Sequence, residues 1–165
     1  MVKIMSYVKW ILGGAAIVVC TVIAYKLSEK FRLRQKFYND FYLFNKRMCD
    51  EMSFTRNSLL SVLASFDAQT PFQRLLNEYR RSLTERTPFS CAEIWFLKEE
   101  EKRLTEEYFA ALGKTDARTQ MNFLKTYDAN LKTSADAALS DKKKYVAMYI
   151  KLGLLTGIAV LILIL

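Results

Sequence analysis

Apolar residues run almost without interruption near both ends of the chain, and between those runs they return only at helical intervals. The first run, Met5 to Lys26, reads MSYVKWILGGAAIVVCTVIAYK, with Lys9 the one charge before its end. The second, Ile150 to Leu165, reads IKLGLLTGIAVLILIL and is uncharged from Leu152 onward. At about 1.5 Å per residue that uncharged part covers roughly 21 Å, less than the roughly 30 Å of bilayer hydrocarbon. Extension back to Val146 reaches about 30 Å and takes in Lys151. Helical side chains lean toward the N-terminus, so Lys151 can bend its amine back toward Lys142, Lys143 and Lys144. The pattern predicts transmembrane helices over residues 5–25 and 146–165, on either side of a middle domain over 26–144. A buried core helix is the alternative for the terminal run, and it would leave the lysine triplet without a role.

The flanks of the two runs set an expected topology. Tyr7 and Trp10, beside Lys9, suit the headgroup zone. A secretory signal peptide competes for the first run, with Lys3 and Lys9 as its basic start and Val22-Ile23-Ala24 as its cleavage site. Against it stands the basic collar that follows: Lys26, Lys30, Arg32, Arg34 and Lys36. Such a collar resists translocation and belongs on the cytoplasmic side, as do Lys142, Lys143 and Lys144. The expectation is a two-pass protein of the cell membrane, an antiparallel hairpin with its middle domain in the cytoplasm.

That middle is helical by its periods. Phe37, Phe41, Phe44, Met48 and Met52 recur at steps of four and three, a stripe that predicts a helix running from the first span to about Glu51. SFTRNSLLSVLASF gives a short helix with Ser53 or Thr55 as its cap. TPFQRLLNEYRRSL starts with Thr70 capping and Pro71 in the first turn, where its missing N–H costs nothing. TPFSCAEIWFLKEEEKRLTEEYFAALG carries a capping-box spacing at Ser90 and Glu93, a helical period at Ile94, Leu97, Leu104, Tyr108 and Leu112, and Gly113 to end it. In the last helix Ala117, Leu124, Leu131, Ala138 and Tyr145 fall seven apart. Met121 and Ala135 widen this seam, which Asp128 interrupts. No breaker stands between Asp116 and Gly153, so this helix is expected to continue into the second span. No strand alternation or internal repeat is visible. The fold class is all-α, a membrane-anchored antiparallel bundle with a transmembrane helix at each end.

Charge and reactive residues narrow the function. The net charge of +8 comes largely from the two collars, where anionic lipid headgroups are the simpler partner than nucleic acid. Elsewhere acids and bases interleave. Cys20, Cys49 and Cys91 form no CxxC pair and fit reduced thiols. There is no histidine, which removes Ser-His and Cys-His machinery and most zinc sites. No glycine-rich phosphate loop occurs. The acids Glu99, Glu100, Glu101, Glu106 and Glu107 read as a solvated helix face with Lys98, Lys102 and Arg103 as local partners. Cys91, near a helix start, could have a lowered thiol pKa, but a lone thiol with no base beside it reads as structural. Neither catalysis nor a cofactor is expected.

Within the spans, Gly153 and Gly157 lie four apart, as do Ala16, Cys20 and Ala24. Small residues at that spacing let helices approach closely in lipid, which predicts that these faces meet within one chain. The same residues are also simply common in membrane helices.

The C-terminal third resembles the stage III sporulation protein AB family. The resemblance rests on LGKTDARTQ, with Leu112, Gly113, Thr115, Asp116 and Gln120 as its motif turn, on the long charged helix after it, and on the KLGLLTGIAVLILIL ending. AEIW, residues 92–95, is similar to the family's central alanine-tryptophan segment. FTRNSLL lacks the proline of the usual threonine-proline-leucine turn, and Thr156 stands where a further glycine step is common. That family is itself similar to the cytoplasmic domain of inner-membrane platform proteins of type II secretion and type IV pilus systems. The resemblance implies a platform in the mother-cell membrane around the forespore. Its implied partners are a secretion-type ATPase and the other membrane proteins of the stage III channel complex. Two charged patches are candidate partner surfaces: Arg80, Arg81 and Arg86, and Glu99, Glu100 and Glu101. A generic membrane-anchored helical protein that self-associates through the heptad seam, as a homo-oligomer, is the competing reading.

Overall fold

The computed structural model describes residues 2–54, 59–66 and 70–164, with side chains over the same ranges except at 2–9, 11, 53–54, 59–60, 65 and 164. Among the described residues six helices follow one another: α1 (Val2–Leu27), α2 (Glu29–Phe54), α3 (Leu59–Ser65), α4 (Pro71–Glu85), α5 (Glu99–Ala111) and α6 (Ala117–Ile164). No strand occurs among the described residues. Two compact units are formed, one from Met1–Arg32 with Leu139–Leu165 and one from Leu33–Ala138.

The central unit is organised by the aromatic stripe of α2. Phe37, Phe41, Phe44 and Met48 are buried as their spacing predicts, with Met52 half-buried at the edge. Phe41 stacks on Phe72 at 5.2 Å and on Phe109 at 5.8 Å, and meets the edge of Tyr108 at 4.8 Å. Ring pairs of this kind contribute about 0.5–1.5 kcal/mol each beyond the area they bury. From α4 come Phe72, Leu75, Leu76 and Tyr79, and from α6 Leu124, Leu131 and Ala138. The seam of α6 is therefore buried within the chain at Leu124, Leu131 and Ala138.

Helix ends differ from the sequence expectation in three places. First, α1 and α2 are separate helices, broken at Ser28. Ser28 Oγ donates to the Tyr25 carbonyl at 2.8 Å, and Phe31 N–H reaches back only three residues, to the Ser28 carbonyl at 3.2 Å. A serine bonding its own preceding turn is a common cause of such an interruption. Second, Pro71 does open α4 and Thr70 is extended before it, but the Thr70 hydroxyl makes no cap bond and is buried without a partner. Third, α5 begins at Glu99, not near Ser90. Residues 87–98 form a loop in which Ser90 Oγ and Cys91 N–H donate to Glu106 at 3.1 and 2.6 Å. The helix is capped instead by Glu101, which accepts from Lys98 N–H at 3.0 Å. The later start turns Thr105, Tyr108 and Phe109 inward and leaves Leu104 exposed. Of the two caps expected for the short helix, Thr55 lies outside the described residues, while Ser53 falls within α2 and its side chain lies outside them.

Two other ends agree with it. Gly113 adopts φ 78° after α5, where a side chain would be strained. α6 is a single helix from Ala117 to Ile164, without a break at Gly153 or Gly157.

Candidate functional site

The unit built from the two apolar runs is a close antiparallel helix pair. A Cβ placed on Gly153 would lie 2.5 Å from Ala24 Cβ and 3.0 Å from the Cys20 carbonyl oxygen. One placed on Gly157 would lie 2.8 Å from Ile17 Cα, and one on Gly13 would overlap Leu161. Farther along, Phe31 stacks on Tyr145 at 4.7 Å. As the residue number on the N-terminal side of this pairing rises from 13 to 31, its partner falls from 161 to 145, which is an antiparallel register. The structure thus places Gly153 against Cys20 and Ala24. Gly157 faces Ile17, and Ala16 next to it is half-buried. Gly13 is a close-approach position that spacing did not single out, although the Gly13-Gly14 doublet was its signal.

The outer surface of the pair is apolar. Leu12, Val18, Val19, Val22 and Ile23 are exposed on α1, and Leu154, Leu155, Ile158, Ile162 and Leu163 on α6. α1 continued into α2, and α6, are each long and apolar enough to cross a membrane. Exposed valine and leucine over such a length suit lipid as solvent. The side chains of Tyr7 and Lys9, expected at the interface, lie outside the described residues.

The basic collar divides into two groups. Lys26, Lys30, Lys143 and Lys144 are exposed, Lys142 is half-buried, and Lys151 is exposed on the α6 span. Lys26 lies 3.8 Å from Glu29. Arg32 covers the Tyr25 ring, 3.6 Å from its centroid, and donates to the Tyr25 carbonyl at 3.0 Å beside Ser28. Arg34 differs from the others. Its guanidinium grips the Glu101 carboxylate through Nε at 3.0 Å and Nη2 at 2.6 Å, with both side chains only 13% exposed. It belongs to the core of the central unit, and Glu101, expected on a solvated face, is spent on this pair and on the cap of α5. The Tyr38 hydroxyl beside them has its pKa raised, first by burial and then by the Glu101 charge.

The motif turn between α5 and α6 is a hydrogen-bonded corner. Leu112 is buried, and its carbonyl accepts from Tyr79 Oη at 3.5 Å. Gln120, also buried, turns Oε1 onto Gly113 N–H at 3.0 Å and Thr115 Oγ1 at 3.3 Å. Asp116 Oδ2 accepts the N–H groups of Arg118 and Thr119, each at 3.2 Å, as an N-cap does. Hydrogen bonds from Thr119 hold the Asp116 carboxyl below the usual range. Each motif residue has a structural task here.

A second polar cluster escaped sequence reasoning. Asn45, buried in the aromatic stripe, donates through Nδ2 to the Leu124 carbonyl at 3.1 Å and to Asp128 at 3.5 Å, and accepts from Tyr108 Oη at 3.0 Å. This joins α2, α5 and α6 at one point. Asp128, which looked like a flaw in the heptad seam, is part of the bond set.

The reactive residues are placed for structure. Cys91 is buried, and burial followed by the Glu106 charge pushes its thiol up to about 12, opposite to the lowering expected at a helix start. No cluster of potential metal ligands occurs among the described residues. Of the expected partner patches, Arg81 pairs with Glu85 at 2.8 Å and Glu99 with Lys102 at 2.9 Å. Arg86 terminates α4 at φ 55°. Arg80 and Glu100 are exposed, and the loop before α5 presents Trp95, 63% exposed. That loop is pinned by Glu106, by Lys102 donating to the Ala92 carbonyl at 3.3 Å, and by buried Cys91 and Leu97.

A family model described as stage III sporulation protein AB matches residues 9–165. Comparison with curated proteins and with solved structures gave no match.

Proposed function

The chain belongs to the stage III sporulation protein AB family, and on that premise we propose that it is a non-enzymatic membrane platform that docks a secretion-type ATPase of the stage III channel complex. Its role in stage III sporulation follows from the family, a structural component of sporulation and not a known class of enzyme. The single observation that carries the platform reading is the use made of charge in the central unit. Arg34, Glu101, Asp116 and Glu106 are engaged in holding helices and loops, which supports a structural rather than a catalytic use of these groups. The likeness of the family to secretion and pilus platform proteins supplies the class of partner. Basic collars flanking both spans favour the cytoplasm for the domain, the resemblance to the family implies the mother-cell side, and there an ATPase can reach it. Within the domain the docking face is the one bearing Trp95. A tryptophan held outward on a pinned loop has little entropy to lose on binding, and tryptophan dominates many interface hot spots.

Two measurements test this. In a cysteine-free chain carrying Glu100→Cys, a membrane-impermeant thiol reagent labels position 100 only after lysis. Labelling in intact cells puts the domain outside and ends the reading. With the full chain in lipid nanodiscs, the purified ATPase binds, and Trp95→Ala weakens binding about 30-fold. An ATPase that ignores the wild-type chain removes the platform role, while equal binding by Trp95→Ala moves the docking face elsewhere.

A further inference from the structure

The two helices of the pair change from uncharged to charged at the same level. Gly13 meets Leu161, Gly157 meets Ile17, Gly153 meets Cys20 and Ala24, and Phe31 stacks on Tyr145. In that register Lys151, just before Gly153, is level with the last turn of α1, which carries Lys26. Both lysines are exposed. Beyond Lys26 come the break at Ser28 and then Glu29, Lys30 and Arg32, while α6 is uncharged from Leu152 onward. The sequence allows a span reaching back to Val146. With Tyr145 beside Phe31, however, that longer span would draw Lys26, Glu29 and Lys30 of α1 into hydrocarbon together with Lys151.

The length of the apolar belt can therefore be taken from α1. Sixteen uncharged residues separate Lys9 from Lys26 within this one helix, a rise of about 24 Å. Ordinary bilayer hydrocarbon is about 30 Å thick, and any tilt of the pair shortens its reach further. Leu12, Val18 and Val22 on α1, with Leu154, Ile158 and Ile162 on α6, are exposed within the belt. A belt shorter than the bilayer favours lipids that bring the two membrane surfaces closer together. We propose that the helix pair is matched to a thin hydrocarbon layer and gathers short-chain phospholipids around it, thinning the membrane where the protein sits. The inference rests on the membrane reading of this helix pair and is independent of ATPase docking.

Competition among phosphatidylcholines of different chain length tests it on the full chain. They share one zwitterionic headgroup, so attraction of the basic collars to anionic lipid plays no part. Val18→Trp, in a chain with Trp10→Phe and Trp95→Phe, leaves one tryptophan, midway along the belt at an exposed position. Its quenching by brominated dioleoyl phosphatidylcholine is measured in mixtures with dimyristoleoyl, dipalmitoleoyl, dioleoyl or dierucoyl phosphatidylcholine, which gives the relative affinity for each. Affinity is highest for dimyristoleoyl or dipalmitoleoyl lipid and falls about threefold or more by dierucoyl. Lys26→Leu with Lys151→Leu lengthens the belt by about one turn and moves the optimum to dioleoyl lipid or beyond. Lys30→Leu with Lys143→Leu removes the same charge outside the belt and leaves the optimum in place. An optimum at dioleoyl or dierucoyl lipid without the lysine changes, equal affinity for all four, or the same shift in both double variants overturns the match. A tryptophan that the brominated lipid does not quench, in a chain that alkali releases from membranes, removes the membrane reading itself.

Discussion

The helix pair and the central unit are both helical and both apolar inside, yet they are packed by opposite means. In the pair, contact depends on what is missing: at Gly153 and Gly157 the facing backbone or small side chain occupies the space a Cβ would need. In the central unit contact depends on what is filled, with Phe41 enclosed by the rings of Phe72, Phe109 and Tyr108. Solvent explains the difference. Lipid is as apolar as a leucine side chain, so burial in it gains little and close approach has to supply the attraction. Water rewards every buried ring. Polar groups follow the same division: the central unit holds Asn45 and Gln120 in bond networks, and the pair keeps its threonine hydroxyls on their own helix, as Thr21 to Ile17 and Thr156 to Leu152.

Substitutions at four positions separate the two modes. Phe41→Ala should have the largest effect, about 3–5 kcal/mol on the central unit, seen as lost near-ultraviolet dichroism while the membrane pair persists. Gly157→Ile should cost the pair about 3 kcal/mol, because the obstacle is the Ile17 backbone, which cannot swing aside. Spin labels at Leu12→Cys and Ile162→Cys in a cysteine-free chain would then report a broadened distance, with the melting of the central unit unchanged. An unaltered distance would mean the glycine face does not set the pairing. Asn45→Ala should cost about 2 kcal/mol by stranding the buried Tyr108 hydroxyl, and Asn45→Asp should not restore the donor to the Leu124 carbonyl. Arg86→Gly should stabilise the central unit by about 0.5–1 kcal/mol, because φ 55° suits glycine and strains arginine. Denaturant melts resolve all but the second.

What could be read in the sequence was what depends on periodicity or on a residue's own backbone. The stripe from Phe37 to Met48, the apolar ends and the turn at Gly113 are of that kind. What could not be read depends on partners far along the chain. Ser90 and Glu93 have capping-box spacing, but Glu106 takes the local donors and Cys91 and Leu97 are drawn into the core, so the segment stays a loop. Arg34 looks like its neighbours in a basic run, and only its position opposite Glu101 separates it from them. Asn45 reads as one polar break in a stripe until Tyr108 and Leu124 are placed beside it. Among the membrane residues, spacing found Gly153 and Gly157. The facing choice of Ile17 over Ala16 required the register.

The burial of Cys91 has a practical side. With its thiol pushed up to about 12, chiefly by burial, almost none of it is thiolate at neutral pH, and reagent cannot reach it in the closed fold. Cys49, half-buried, is raised too, again chiefly by burial. Alkylation of Cys91 therefore waits for the loop and α5 to come apart, and its rate counts those local openings. The native chain carries its own clock for breathing of the central unit, readable in living cells by the slow appearance of a modified thiol.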